Sequence, residues 1–185
     1  MSLWDKWAKG INRVVTGDKR RRAIVTPIAA IIFFGIISIF VLSASPVDNW
    51  LGLPHLFEAW WRYGLAAIFF LAGCVLGIST VTAFFRTRGT PVPTNPPPKL
   101  VTTGLYSYIR NPMALGGLLI LESIGLYTGS LSLIFFFAPL PVLLYAIYIK
   151  AVEEPELEIR FGLEYVNYKK RVPMFIPRLK RRGEN

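Results

Sequence analysis

The sequence predicts an all-α integral membrane protein with four transmembrane helices, and three observations indicate this fold class. Hydrophobic residues make up 53% of the 185 residues, and charged residues only 17%. The apolar residues are concentrated in blocks, and a helix needs about 20 mostly apolar residues to cross the hydrocarbon core of a bilayer. Basic residues lie at the ends of these blocks, which is typical of membrane proteins.

The predicted spans are about 23–45, 63–85, 113–127 and 130–151. The first two contain no charged residue, and the fourth contains only Lys150, whose long side chain can reach the interface. The third span is short for a full crossing and contains Glu122. Residues 23–185 are therefore expected to form one membrane domain.

Two amphipathic segments flank the spans. Residues 1–22 are predicted to form a basic interfacial segment, because Leu3–Val15 places tryptophans and aliphatic residues on one helical stripe and basic residues on the other. Pro155 lacks an amide hydrogen, so the fourth helix is expected to bend or end around Glu154. An amphipathic helix on the membrane surface is predicted to follow, from apolar residues at helical spacing: Leu157, Phe161, Tyr165 and Tyr168.

The formal net charge of +10 does not by itself indicate nucleic-acid binding. Seven of the 21 basic residues precede Ala23, one lies between the first two spans, four lie in residues 86–110, and nine lie from Lys150 onward. This distribution predicts both termini and the 86–110 loop in the cytoplasm, and no nucleic-acid partner. Cys74 and His55 are single residues of their kinds, which excludes a zinc site of clustered His and Cys ligands. No metal is expected.

Residues 86–110 form the longest polar connection. Five prolines, at positions 91, 93, 96, 97 and 98, prevent a continuous helix and favour an extended path. A loop of this length is either functional or disordered, and its Leu, Val and Tyr residues favour an ordered, functional loop. Asn111-Pro112 then predicts a helix start, with Asn as N-cap and Pro at the first helical position.

Four charged residues are candidates for chemistry. Glu122 lies within an apolar span, where a carboxylate is either functional or hydrogen-bonded to a neighbouring helix. Arg110 precedes a helix start, a position suited to binding a carboxylate, a phosphate or a lipid headgroup. Glu153 and Glu154 point about 100° apart on a helix. Only one of the two faces a given cavity, and the other is expected to pair with an arginine or a backbone amide.

Two motifs then carry a family resemblance. The first is Leu100-Val101-x-x-Gly104-x-Tyr106-x-x-x-Arg110-Asn111-Pro112-Met113, and the second runs from Glu153-Glu154 through Phe161-Gly162 to Val172-Pro173. Together they resemble the isoprenylcysteine carboxyl methyltransferase and phospholipid methyltransferase superfamily. Gly89-Thr90-Pro91, Pro97-Pro98 and Glu122 make the bacterial branch the closer likeness.

The resemblance implies an integral membrane enzyme that uses S-adenosylmethionine (SAM) to methylate a lipidic acceptor. Residues 86–113 and 150–177 would hold the cofactor, while Arg110, Glu154 and Glu122 would serve catalysis. Asn111, Ala114 and Ile149 differ from the eukaryotic carboxyl methyltransferases, which does not favour a prenylcysteine acceptor. The implied cofactor contacts are Lys99, Leu100, Val101, Gly104, Tyr106, Asn111, Pro112, Met113 and Glu153.

Two other functions remain open from the sequence. Membrane reductases of the sterol-reductase type, which use NADPH, have a similar C-terminal architecture. A non-catalytic scaffold or transporter subunit could use the same polar loop to bind lipid headgroups or a partner. The acceptor is also open, between a phospholipid amine and a lipid carboxylate.

Overall fold

The computed structural model describes residues 19–54, 60–87 and 97–176, and the regular elements within them are all helical. The α-helices are α1 (Lys19–Leu51), α2 (Trp61–Arg86), α3 (Pro112–Thr128), α4 (Pro139–Tyr148), α5 (Glu154–Phe161) and α6 (Leu163–Arg171). A 3₁₀ turn, Gly104–Ser107, precedes α3, and the π-helical turns Leu133–Phe137 and Ile149–Glu153 precede α4 and α5. Residues 1–18 of the predicted N-terminal interfacial segment and residues 88–96 of the proline-rich loop lie outside the described residues, whereas residues 19–22 of that segment belong to α1.

Three stretches are long and apolar enough to cross a membrane: Ala30–Leu51, Trp61–Arg86 and Leu133–Phe161. They confirm three of the predicted spans by length and composition. Helix α3 has 17 residues. At 1.5 Å per residue its length is about 26 Å, which is less than the ~30 Å of a hydrocarbon core. A fourth crossing therefore stays a prediction.

The chain divides into two compact units. The hairpin unit consists of Pro27–Gly77 and Met113–Tyr145. The polar unit contains the described parts of Ile78–Pro112 and Ala146–Asn185, with the start of α1.

In the hairpin unit, α1 continues through Pro46 to Leu51, so the predicted end of the first span at residue 45 was wrong. The buried carboxylate of Asp48 accepts hydrogen bonds from Ser130 Oγ and from Ser132 N, the latter at 2.8 Å. These long-range contacts stabilise the helical turn that follows the proline, although Pro46 itself removes one backbone hydrogen bond.

Helix α3 ends in a tight turn at Gly129, whose φ of 72° is easily adopted by glycine. The turn lies between the predicted third and fourth spans. The guanidinium of Arg62 caps the end of α3: its Nη1 donates to Leu126 O at 3.0 Å and also to Tyr127 O. A cation at the negative end of the helix dipole is favourable, and it satisfies carbonyls that the helix leaves unpaired.

Helices α2 and α3 approach closely at Gly73. A Cβ atom added there would lie 2.7 Å from Ile120 Cγ1 and 2.8 Å from Gly116 O. The missing side chain of Gly73 therefore allows the two helices to pack closely at this position.

In the polar unit, the last apolar stretch continues to Phe161 and does not end around Glu154. The wide turn Ile149–Glu153 comes directly before Pro155, and Glu154 N donates to the carbonyl that opens this turn. A similar wide turn precedes Pro139. The predicted bend is thus a local widening, which accommodates a proline without ending the helix.

The predicted C-terminal amphipathic helix is two helices, α5 and α6, separated by Gly162. The φ of 56° and ψ of −133° at this residue are a conformation that glycine alone adopts readily. The predicted apolar stripe still forms the core of this unit. Its members are Tyr165, Tyr168 and Val172, with Leu100, Leu157 and Phe161 packed against them.

Candidate functional site

The segment before α3 pairs with the segment after α6. Arg110 N donates to Pro173 O at 2.9 Å, and Asn111 N donates to Met174 O at 3.1 Å. The two motifs that the sequence singled out are therefore joined through their backbones within the polar unit.

The Arg110 side chain adds to this junction. Its Nε donates to Val172 O at 2.9 Å, and its Nη1 donates to Glu154 Oε1 and to Tyr165 Oη. The Arg110 and Glu154 side chains are only 11% and 6% exposed. Burial lowers the pKa of Arg110, but the hydrogen bond and charge of Glu154 outweigh it and leave the pKa raised, so the guanidinium stays charged.

Glu154 also forms an ion pair with a second cation, Lys169. Lys169 Nζ lies 2.7 Å from Glu154 Oε2 and 2.9 Å from Glu158 Oε1. The hydrogen bond to Glu154 is the main reason that the pKa of Lys169 is raised. Both oxygens of the Glu154 carboxylate are thus engaged with cations from other parts of the unit.

Aromatic residues lie beside the ion pair. Tyr168 Oη donates to Tyr106 O at 2.8 Å, and the Tyr106 ring packs edge-on against Phe84 with centroids 5.6 Å apart. Burial raises the pKa of both tyrosines, so their hydroxyls are neutral at physiological pH.

Glu153 lies within electrostatic reach of Tyr106 and Tyr165. Burial is the main cause of the raised pKa of Tyr106, and the negative charge of Glu153 raises it further. The charge of Glu153 also contributes to the raised pKa of Tyr165. Its side chain is only partly buried, so Glu153 combines proximity to the loop with access from outside.

The remaining sequence-predicted residues have different surroundings. Val101 and Pro112 are buried, Lys99 is exposed, and Leu100 packs on the tyrosine core. Gly104 opens the 3₁₀ turn with a φ of 64°. The other two predicted residues belong to the hairpin unit, where Met113 is exposed and Glu122 is partly buried.

One ion pair of the polar unit was not predicted from the sequence. Glu156 and Arg160 in α5 place Oε1 and Nε 3.5 Å apart. Among the described residues, neither atom has a hydrogen-bond partner although both are buried. Their spacing of four residues was the available signal, since it places two side chains on one helix face.

The described residues contain no group of three or more His, Cys, Asp or Glu side chains that could hold a metal ion.

Residues 61–164 match the family described as phospholipid methyltransferase. No curated protein and no solved structure matches the chain. The matched region covers more than half of the sequence and includes Arg110, Glu153 and Glu154. It confirms the resemblance carried by the two motifs, and the chain therefore belongs to the phospholipid methyltransferase family.

Proposed function

We propose that this protein is a SAM-dependent methyltransferase whose acceptor is a lipid, either a phospholipid amine or a lipid carboxylate. The observation that carries the proposal is the junction between Arg110 and Glu154, with the backbone pairing at Pro173. It brings the two sequence motifs together in one unit. Family membership favours methyl transfer over the alternatives of an NADPH-dependent reductase and a non-catalytic scaffold.

The residues of the polar unit suit the cofactor. SAM carries an ammonium, a carboxylate and a sulfonium, so its site needs a carboxylate, hydrogen-bond donors and an aromatic or apolar lining. Glu153 is a partly accessible carboxylate close to Tyr106, and Leu100 supplies apolar surface beside the tyrosine core. When bound, SAM supplies a methyl group on positively charged sulfur.

We assign Glu153, whose carboxylate is partly accessible, to the ammonium or ribose of the cofactor. Tyr106 lines the site, where an aromatic ring attracts a sulfonium. The further contacts proposed by position in the family motif are Lys99, Val101, Gly104, Asn111, Pro112 and Met113.

Arg110 and Glu154 are best assigned as positioning residues. Each is engaged with the other, and Glu154 also holds Lys169. Holding the loop against α5 fixes the alignment of donor and acceptor, which supplies much of the rate in a displacement reaction. Glu122, in the apolar helix α3, remains a candidate proton acceptor.

The acceptor is proposed to reach the site laterally from the bilayer, with the site and both termini in the cytoplasm of a bacterial cell. Three helices apolar enough to span a membrane support the lateral route. The concentration of basic residues beside the 86–110 loop and after Lys150 supports the orientation.

The test is binding of S-adenosylhomocysteine (SAH) to the detergent-purified full chain. Glu153→Ala is expected to weaken binding by about 10-fold or more, because it removes a charge-assisted hydrogen bond. Glu164→Ala, which removes an exposed carboxylate from α6, is the matched control and should bind SAH normally. Folded wild-type protein that binds no SAH would refute the proposed function.

A further inference from the structure

The proposed function leaves Glu156 and Arg160 without a role. Glu156 is 5% exposed, and its Oε1 has no hydrogen-bond partner among residues 19–54, 60–87 and 97–176. The same holds for Arg160 Nε. A buried polar atom that lacks a hydrogen-bond partner is unfavourable, and more so when it belongs to a charged group. The two side chains form an ion pair at 3.5 Å, and Arg160 also lies over the Phe161 ring, but these contacts leave both atoms without a hydrogen bond.

A comparison within α5 makes the difference clear. Both oxygens of Glu154 contact cations, and Arg110 also bonds to a backbone carbonyl. Glu156 and Arg160 attract each other at 3.5 Å without the alignment of a hydrogen bond. A ligand with a positive and a negative group could give each of these two atoms the hydrogen bond that the described residues do not provide.

The position of the pair indicates which ligand. Both residues lie in the last turns of the apolar stretch Leu133–Phe161, where a membrane helix meets lipid headgroups. Their neighbours Ile159 and Leu163 are exposed apolar side chains. Such side chains are suited to acyl chains, so polar and apolar parts of a lipid would find matching surfaces here.

We propose that Glu156 and Arg160 bind the headgroup of an aminophospholipid acceptor, with its ammonium at Glu156 and its phosphate at Arg160. This inference rests on the proposed function and adds two residues to its acceptor side. The guanidinium of Arg160 is suited to phosphate because its donors match phosphate oxygens.

Glu156 then has a chemical task. An ammonium has no lone pair, so the acceptor must lose a proton before it is methylated. One N–H bond breaks and an O–H bond forms on the Glu156 carboxylate. The nitrogen lone pair forms a bond to the methyl carbon of the sulfonium donor. The carbon–sulfur bond breaks, and its electron pair stays on the sulfur of the thioether product.

The first experiment compares Glu156→Gln, Glu122→Gln and the exposed control Glu164→Gln in vesicles that contain an aminophospholipid. Methylated lipid is measured by mass spectrometry, and SAH affinity is measured in parallel. Glu156→Gln is expected to lose about 100-fold in methylation, the effect of a general base, while it binds SAH as wild type does. Glu164→Gln should match wild type in both measurements.

The second experiment tests the phosphate contact with Arg160→Gln and the exposed control Arg171→Gln. Arg160→Gln should raise the half-saturating concentration of the aminophospholipid by about 10-fold, since it removes a charge-assisted contact. It should leave the half-saturating concentration of a long-chain alkylamine unchanged, because this acceptor has no phosphate. If Arg160 had only a structural role, the substitution would change the half-saturating concentrations of both acceptors equally.

Several outcomes overturn the inference and leave the proposed function intact, provided that wild type binds SAH. They are full methylation by Glu156→Gln, loss of methylation in Glu122→Gln instead, an equal effect of Arg160→Gln on both amines, and methylation of lipid carboxylates only. Loss of SAH binding in both folded variants assigns the pair to the methyl donor and also overturns it. If Glu156→Gln does not fold, the Arg160→Gln comparison decides.

Discussion

Replacing Arg110 by Gln should destabilise the polar unit by about 3 kcal/mol, the lower end of the range for removing one partner of a buried ion pair. The side chains of Arg110 and its partner Glu154 are well buried, at 11% and 6% exposure. The lower end applies because Glu154 keeps its contact with Lys169, so its charge is not left alone.

Glu154→Gln should have a similar effect of about 2–3 kcal/mol. Arg110 would keep Val172 O and Tyr165 Oη, and Lys169 would keep Glu158. In the double variant no buried charge of this pair remains without its partner. Its destabilisation should therefore fall short of the sum of the single variants by about 2 kcal/mol, as expected for residues in direct contact.

The assay is reversible unfolding of the detergent-solubilised chain, followed by circular dichroism. Lys169→Gln is a useful control, because Lys169 is 37% exposed and an ion pair of this kind contributes at most about 1 kcal/mol. Additivity of Arg110→Gln and Glu154→Gln within about 0.5 kcal/mol would show that the two side chains do not interact, and the argument for a joined site would fail.

Three further predictions concern stability. Gly73→Ala should destabilise the hairpin unit by about 1–3 kcal/mol, since its Cβ would lie 2.8 Å from a carbonyl oxygen. The control is Gly77→Ala, whose Cβ would meet nothing within 4 Å. In thermal unfolding this control should be neutral or slightly stabilising. Asp48→Ala should lower the free energy of unfolding by about 2 kcal/mol; an unchanged melting temperature would contradict this. Burial and the charge of Glu154 raise the pKa of Tyr165 to about 12. The folded state therefore holds this proton more tightly, and the resulting stability is complete below about pH 10 and lost as the pH approaches the raised value, where tyrosinate absorbance and unfolding should appear together.

The sequence predicted the features that depend on local composition. Blocks of apolar residues located three stretches that are long and apolar enough to cross a membrane, and Pro112 marked the start of α3. The apolar spacing in the C-terminal segment identified the tyrosine core. The expectation that one carboxylate of the Glu153–Glu154 pair would meet an arginine is matched by the contact between Glu154 and Arg110.

What the sequence could not predict depends on contacts between distant residues. Pro46 is a local signal for a helix end, but Asp48 bonds to Ser130 and Ser132, more than 80 positions away, and the helix continues. Arg62 resembled an isolated loop charge, yet its guanidinium caps the end of α3. No spacing rule connects partners that meet only after the chain has folded.

The wide turn at Ile149–Glu153 has a consequence for comparing this chain with relatives of different length. Such a turn absorbs one extra residue while the helix on either side keeps its direction. Removal of one residue within it would restore a regular helix and leave Glu154 on its present side. The same deletion inside α4 would rotate Glu154 by about 100° away from Arg110. Length differences among relatives are therefore expected to be tolerated at this turn and excluded a few residues earlier.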